Sequence, residues 1–404
     1  MTLFIGGEKG HYWAKEGRMD GATTRRIERM RRILQLFTLL TGFLILPHLA
    51  LGGSQGRDHD LQKREQDLGE TLFAETSLSD PPGQGCIDCH HPDLAFADPE
   101  HGLPVSRGVH RDRFGNRNDM MLTYASFIPP LSYDDQDSVW VGGLFWDGRV
   151  NSLEEQAQGP PFNPLEMAVT DTAYIANQLR KLPYADQFRQ VYGPDALKDD
   201  GQAFRNMARA LAAFQRTELF HPFDSKYDYY LQGKVALTEQ EMRGLNLFVD
   251  ENKGNCAACH PHTIQEDGAM PQLTDFTYDN LGVPRNPELP FYTMDKALNP
   301  EGWDWKDRGL GKTLNDPELD GLFRVPSLRN VGVTPPYMHN GYFKTLFEVV
   351  AFYNSRDVGP WAEAEFPDNV NKEELGNLGL TNNEMDDIVA FMLTLSDGYR
   401  LEAD

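Results

Sequence analysis

Two short runs of the chain hold residue types that do chemistry at a fixed spacing: Cys86-Ile87-Asp88-Cys89-His90 and Cys256-Ala257-Ala258-Cys259-His260. A C-x-x-C pair alone suits a redox dithiol or half of a zinc site. A histidine directly after the second cysteine suits haem attachment far better. Both sulfurs are then taken by thioether bonds, and the imidazole supplies an axial iron ligand from the same short turn. The chain has 4 cysteines and the two motifs contain them all, so none is left for a structural disulfide. Two covalently bound haem c groups are the first expectation.

The elements that position these motifs need two cores, and 404 residues suffice for two domains with one haem each. Composition narrows the partners. There are 38 Lys and Arg against 61 Asp and Glu, a net charge of -23. Such a chain repels nucleic acid and anionic membrane surfaces. It is compatible with docking a basic electron-transfer protein, and equally with an acidic face that meets only water.

The first 53 residues read as an export segment. Arg25, Arg26, Arg29, Arg31 and Arg32 precede an almost wholly apolar run from Ile33 to Leu51, interrupted by Thr38, Thr41, Gly42, Pro47 and His48. Pro47 and the small residues Ala50, Gly52 and Gly53 resemble a cleavage region, which favours a signal peptide and a periplasmic location. The run is also long enough to span a bilayer as a retained anchor.

A polar linker is expected over Ser54 to Asp60, then an amphipathic helix marked by Leu61, Leu68, Leu72 and Phe73. From Pro92 to Pro164 the Gly, Pro, Asn and Asp content predicts long ordered loops wrapped round a haem. Helical patterns return at Asp171–Lys181, Tyr184–Tyr192 and Gln202–Phe220. Thr238-Glu239-Gln240-Glu241 reads as a helix N-cap with an acidic first turn, so the boundary falls near 225–237 and the domains span 54–232 and 233–404. Both haem motifs follow a helix ending in Leu-Phe, at Leu72-Phe73 and Leu247-Phe248, a weak internal repeat. Further helices are predicted at Thr345–Tyr353 and Asn382–Thr394. The fold class is mainly α, two cytochrome c-type domains with haem replacing much of the usual core.

Beyond the haem motifs the chain carries Phe145-Trp146-Asp147-Gly148-Arg149, followed by Leu153, Glu154, Gln156, Gly159, Pro160, Asn163, Pro164, Glu166 and Met167. It also carries Val325-Pro326-Ser327-Leu328-Arg329-Asn330, running on through Pro336-Tyr337-Met338-His339-Asn340-Gly341 to Thr345-Leu346. In these runs it resembles the bacterial dihaem cytochrome c peroxidases and MauG-like enzymes, over nearly all of the chain after the leader. The resemblance implies that Trp146 lies between the haems and conducts electrons or holes, although an isolated tryptophan here would read as a core indole. It implies further that Gln156, Glu166 and Pro160 line the distal pocket of the first haem. A buried carboxyl over the iron can move a proton between the two peroxide oxygens and promote their separation; read alone, Glu166 is a surface charge.

The sixth ligand of each iron decides between electron shuttling and peroxide chemistry. Conventional dihaem peroxidases place a Met eight positions after the Thr of the Thr-Leu motif, and MauG-like enzymes a Tyr; the position here is Tyr353. A phenolate is a harder, anionic donor than a thioether and makes high-valent iron easier to hold. Met338 and Met392 are the competing donors. Conventional peroxidases also carry a His seven residues before the Arg-Asn pair that blocks the first haem until the second is reduced, and His110 stands seven before Arg117. The spacing also fits a one-residue insertion into the MauG-like pattern, and Asp119-Met120-Met121 replaces the usual Pro-Thr after Arg117-Asn118. His91 and His101 are loop histidines near the first motif. The resemblance implies a Ca²⁺ between the domains, held by Asn118 and the carbonyls of Thr334 and Pro336; oxygen ligands suit a hard cation.

The implied activity is that of a peroxidase-type oxidoreductase that uses hydrogen peroxide to form high-valent haem and oxidises a protein partner. A conventional peroxidase drawing electrons from a small cytochrome or cupredoxin is the alternative of the same class, and a non-enzymatic dihaem electron carrier the alternative of another.

Overall fold

The computed structural model describes residues 52–100 and 102–401. The leader therefore lies outside the described residues apart from Gly52 and Gly53, and so does His101. The helices are α1 (Gly52–Phe73), α2 (Cys86–Cys89), α3 (Leu153–Gln156), α4 (Gly159–Phe162), α5 (Thr172–Lys181), α6 (Ala185–Tyr192), α7 (Asp200–Gln215), α8 (Lys226–Leu231), α9 (Glu239–Val249), α10 (Leu310–Leu314), α11 (Leu346–Ser355) and α12 (Asn382–Leu393). Among the described residues strand is confined to two short antiparallel pairs, β1 (Ser132–Asp134) with β2 (Val139–Val141) and β3 (Tyr278–Asp279) with β4 (Phe323–Arg324). The chain is mostly helical, as its composition and periodicity predict. The expected linker at 54–60 is instead the first part of α1. Among the described residues no helix is long and apolar enough to cross a membrane.

Local sequence sets where the helices begin. The Asp199 side chain accepts from the backbone N–H of Gln202 and starts α7 at Asp200; the helix ends at Gln215, short of the predicted Phe220, and a separate 3₁₀ turn follows at Glu218–Phe220. Reciprocal caps open α9 (Thr238 with Glu241), α11 (Thr345 with Glu348) and α12 (Thr381 with Glu384).

Two large hydrophobic clusters divide the chain, and α8, expected in the first domain, packs with the second through Tyr227. One draws on residues from Leu68 to Phe220, the other on residues from Tyr227 to Leu395. In the first, α1 packs along α7; in the second, α9 packs along α12. Both crossings turn on a glycine. A Cβ at Gly69 would lie 2.0 Å from the Ala210 carbonyl oxygen and 2.8 Å from Cβ of Phe214. A Cβ at Gly244 would lie 1.9 Å from the Asp387 carbonyl oxygen and 2.8 Å from Cβ of Phe391. Each glycine stands three residues before its Leu-Phe pair, so the repeat seen in sequence extends to the packing.

Candidate active site

Both haem motifs are folded as tight turns, α2 and a 3₁₀ turn at Cys256–Ala258. The two histidines are oriented in the same way. His90 Nδ1 donates to the Phe96 carbonyl at 2.9 Å, and His260 Nδ1 to the Leu273 carbonyl at 2.7 Å. Both acceptor residues adopt the left-handed backbone region, with φ 58° at Phe96 and 54° at Leu273. Fixing Nδ1 leaves Nε2 of each ring as the metal-binding atom. Burial also holds His260 as a neutral imidazole, down to about 4.

The four cysteines form no disulfide. Burial pushes the Cys86 and Cys256 thiols up to about 12, and Cys89 well above its ordinary value. A redox dithiol needs the opposite shift, so these environments disfavour that alternative to haem. Cys259, Asp279 and Glu374 approach one another within 4.8 Å in the manner of a metal cluster. A thioether at Cys259 would remove its sulfur from that set.

Each motif opens on a cavity. The smaller one, about 900 Å³ counting space open to solvent, is lined by Cys86, Cys89 and His90 and also by Gln156, Pro160 and Glu166. Short helices bring the last three there: Ser152 caps α3 and places Gln156 at its end, Pro160 sits in α4, and Asn163 follows. Asn163 Nδ2 donates to Glu166 Oε1 at 2.6 Å. Burial, then the negative charge of Asp119, raises the Glu166 carboxyl to about 7 against the Asn163 hydrogen bond. A carboxyl that exchanges its proton near neutral pH is suited to general acid–base work.

The larger cavity, about 1960 Å³ on the same basis, is lined by Cys256, Cys259, His260 and Tyr353. Leu346, Val350 and Tyr353 lie on one face of α11 at helical spacing, and all three border this cavity. Burial raises the Tyr353 hydroxyl well above its usual range, and the nearby Asp279 carboxylate raises it further. Met338 and Met392 also line the cavity.

Both cavities suit a haem in the polar atoms left over. Gln84 Oε1 at the smaller cavity, and Gln272 Oε1, Arg324 Nε and His339 Nε2 at the larger, are buried without a hydrogen-bond partner. Arg324 is 2% exposed, and burial lowers it to about 10. An anionic ring substituent would satisfy the Arg324 N–H at the larger cavity, whereas the amide oxygens of Gln84 and Gln272 call for a donor.

Trp146 borders the larger cavity and is not among the residues lining the smaller. Its indole N–H donates to the Asn118 carbonyl at 2.8 Å, and its own carbonyl accepts from Arg324 N at 2.9 Å. Arg117 holds this loop by pairing with Asp147 at 2.7 Å and with Asp307 at 2.6 Å. Asp119, beside Asn118, lines both cavities. Sequence reasoning noted it only as a departure from the family pattern.

Asn118, Thr334 and Pro336 all border the larger cavity. Among the described residues the Thr334 and Pro336 carbonyls accept no backbone hydrogen bond, and Asn118 uses its side-chain nitrogen, donating to Pro104 O at 3.1 Å. His110 is half-buried in the turn that its carbonyl closes with Arg113 N, and it is not among the residues lining the smaller cavity. His91 caps the 3₁₀ turn Pro92–Leu94. Arg324 and His339 were missed as site residues, although His339 stood within a quoted motif.

Helical halves, each presenting a Cys-x-x-Cys-His turn to its own cavity, with an acid at one cavity and a phenol at the other, define a dihaem peroxidase-type protein. Comparison with known proteins agrees. Residues 63–236 match the family described as di-haem cytochrome c peroxidase. The methylamine utilization protein MauG of Paracoccus denitrificans is 39% identical over 349 residues, covering 82% of this chain and 88% of that protein. The cytochrome c551 peroxidase of Pseudomonas aeruginosa is 30% identical over 342 residues, covering 84% and 81%. Among solved structures, the diheme peroxidase BthA of Burkholderia thailandensis superposes with a TM-score of 0.72 at 33% identity, covering 82% of this chain and 86% of that one. The chain belongs to the dihaem cytochrome c peroxidase and MauG family, and it is a haem peroxidase-type oxidoreductase.

Proposed function

We propose that the protein is a MauG-like enzyme: it uses hydrogen peroxide to build oxidising equivalents and delivers them to a protein partner. The observation that carries this reading is the phenol of Tyr353 bordering the same cavity as His260, at the position where conventional relatives have a thioether. In this reading one haem c is bound through Cys86, Cys89 and His90 in a domain spanning 54–232, the other through Cys256, Cys259 and His260 in a domain spanning 233–404. The haems supply iron that accepts peroxide and stores oxidising equivalents.

The chain's own residues do the rest. Glu166, held by Asn163, takes a proton from one peroxide oxygen and returns it to the other. Gln156 and Pro160 shape the pocket around it. Tyr353 would hold the second haem's iron through its phenolic oxygen, and the cation would favour loss of the proton that burial retains. Trp146 carries charge between the two sites. Asn118, Thr334 and Pro336 hold a Ca²⁺ through oxygen atoms. The leader directs the chain to the periplasm, where the partner is a maturation target, a small cytochrome or a cupredoxin. The position of His110 outside the smaller cavity also supports a first haem that needs no reductive opening.

Stopped-flow mixing of the as-isolated, fully oxidised holoprotein with stoichiometric peroxide tests the proposal. The expected result is a rapid Soret change and a near-infrared band without added reductant. An unchanged spectrum would make the protein an electron carrier; a response only after prior reduction of one haem would make it a conventional peroxidase.

A further inference from the structure

Three tyrosines line the larger cavity, Tyr124, Tyr337 and Tyr353, and they differ in what receives the phenolic proton. Tyr337 donates to the Val331 carbonyl at 2.9 Å, a group that cannot take the proton. Tyr353 serves as the axial donor in the reading above. Tyr124 donates to Asp397 Oδ1 at 2.8 Å.

That carboxylate is held in place. Asn330 Nδ2 donates to Asp397 Oδ2 at 2.7 Å, and Asp397 N donates to Asn330 Oδ1 at 2.8 Å. Tyr124 itself is 3% exposed. Its ring lies 4.6 Å from the guanidinium of Arg329, which is paired with Asp228 at 2.9 Å. Beyond Tyr124 the ring of Phe127 stands 6.4 Å away and is 40% exposed, so Tyr124 is one aromatic ring from solvent.

A phenol beneath a guanidinium resists losing an electron by itself, because the cation above repels the positive charge that forms. Losing the electron and the hydroxyl proton together yields a neutral radical and avoids that repulsion. The requirement is a base within hydrogen-bond reach. Burial raises both the Tyr124 hydroxyl and the Asp397 carboxyl above their usual ranges, which keeps the proton on Tyr124 at rest and makes Asp397 the better acceptor once an electron leaves.

We propose that Tyr124 is a redox-active tyrosine with Asp397 as its proton acceptor, relaying oxidising equivalents from the second-haem cavity toward the surface at Phe127. Tyr124 gives up one electron to the oxidising equivalents supplied by peroxide. Its O–H bond breaks as an O–H bond forms on Asp397. The protein partner then returns an electron, and Asp397 returns the proton. This inference rests on the peroxide reading above.

Freeze-quench EPR of the holoprotein after stoichiometric peroxide tests it, using wild-type protein grown with and without ring-deuterated tyrosine. The expected result is an organic radical whose hyperfine splitting narrows on deuteration, is lost in Tyr124→Phe, and forms about 100-fold more slowly in Asp397→Asn, where the side-chain oxygen stays but the base is gone. The Asp397→Asn rate keeps the test decisive should Tyr124→Phe fail to fold. A Soret response without a tyrosine radical, or a radical that persists in Tyr124→Phe, or one formed at the wild-type rate in Asp397→Asn, overturns the relay and leaves the peroxide reading standing. No Soret response overturns both.

Discussion

In the first half of the molecule Gly69 lets α1 close on the Ala210 carbonyl of α7, and in the second Gly244 lets α9 close on the Asp387 carbonyl of α12. In the first, His90 is pinned by a carbonyl at a left-handed residue, Phe96; in the second, His260 is pinned by Leu273 in the same conformation. The halves share the framework that would hold a haem and its proximal ligand. They part in the other residues that line each cavity. The first presents a carboxyl raised to about 7, which can move protons, and an amide that can orient a hydrogen-bonding substrate. The second has raised carboxyls of its own, Glu365 at about 7 and Asp279 at about 6, and adds phenols and thioethers, groups that bind iron or carry electrons. Two similar frameworks thus carry unequal chemistry, and the difference resides in a few lining side chains, chiefly Gln156 of α3, Glu166 in the turn after α4 and Tyr353 of α11.

The comparison breaks most visibly at Glu166. Glu166→Gln keeps the shape of the first cavity and removes its titrating proton, so the rate of the Soret change with peroxide is expected to fall by about 10²–10⁴-fold in stopped-flow. A wild-type rate would return Glu166 to a packing role. The pH profile sharpens the same point. Because burial raises this carboxyl, it is neutral below about 7 and ionised above. Only the ionised form accepts the proton of peroxide, so the wild-type rate rises with pH through that value and the Gln variant stays flat.

At the other cavity, Tyr353→Met replaces an anionic donor with a thioether. Potentiometric titration is expected to show the second haem's reduction potential rising by on the order of 0.1 V or more, with the first little changed. Equal movement of both would deny the separation of roles. The smallest effect expected is on the shared framework. Gly69→Ala and Gly244→Ala each push a methyl into a backbone carbonyl, and each should lower the guanidinium unfolding midpoint by the equivalent of about 1–3 kcal/mol. A large loss at one glycine and none at the other would argue against a structural repeat.

Much of this organisation was legible in the sequence. The haem motifs are local: four residues and a histidine define the turn, and the turn forms as expected. The Thr238 cap and the Phe204, Met207, Leu211 and Phe214 face of α7 were readable because caps and helical periodicity are local as well. The start of α1 was not, since a polar Gly-containing stretch gives no hydrophobic period to read. Asp119 and His339 reach the cavities through loops, and Arg324 from the short strand β4, beside ion pairs far apart in sequence such as Arg117 with Asp307 and Arg329 with Asp228. No window of the chain contains both partners. Glu166 shows the intermediate case: family resemblance named the residue, but its burial and the influence of Asp119 emerge only when the chain is folded.

The central claim is that the two sites divide one reaction, with peroxide handled at the first and oxidising equivalents shared with the second. Mössbauer spectroscopy of isotopically enriched, fully oxidised protein before and after stoichiometric peroxide tests it most directly. The account predicts that the signals of both irons change without any reductant. A change confined to one iron, with the other retaining its resting spectrum, would contradict it.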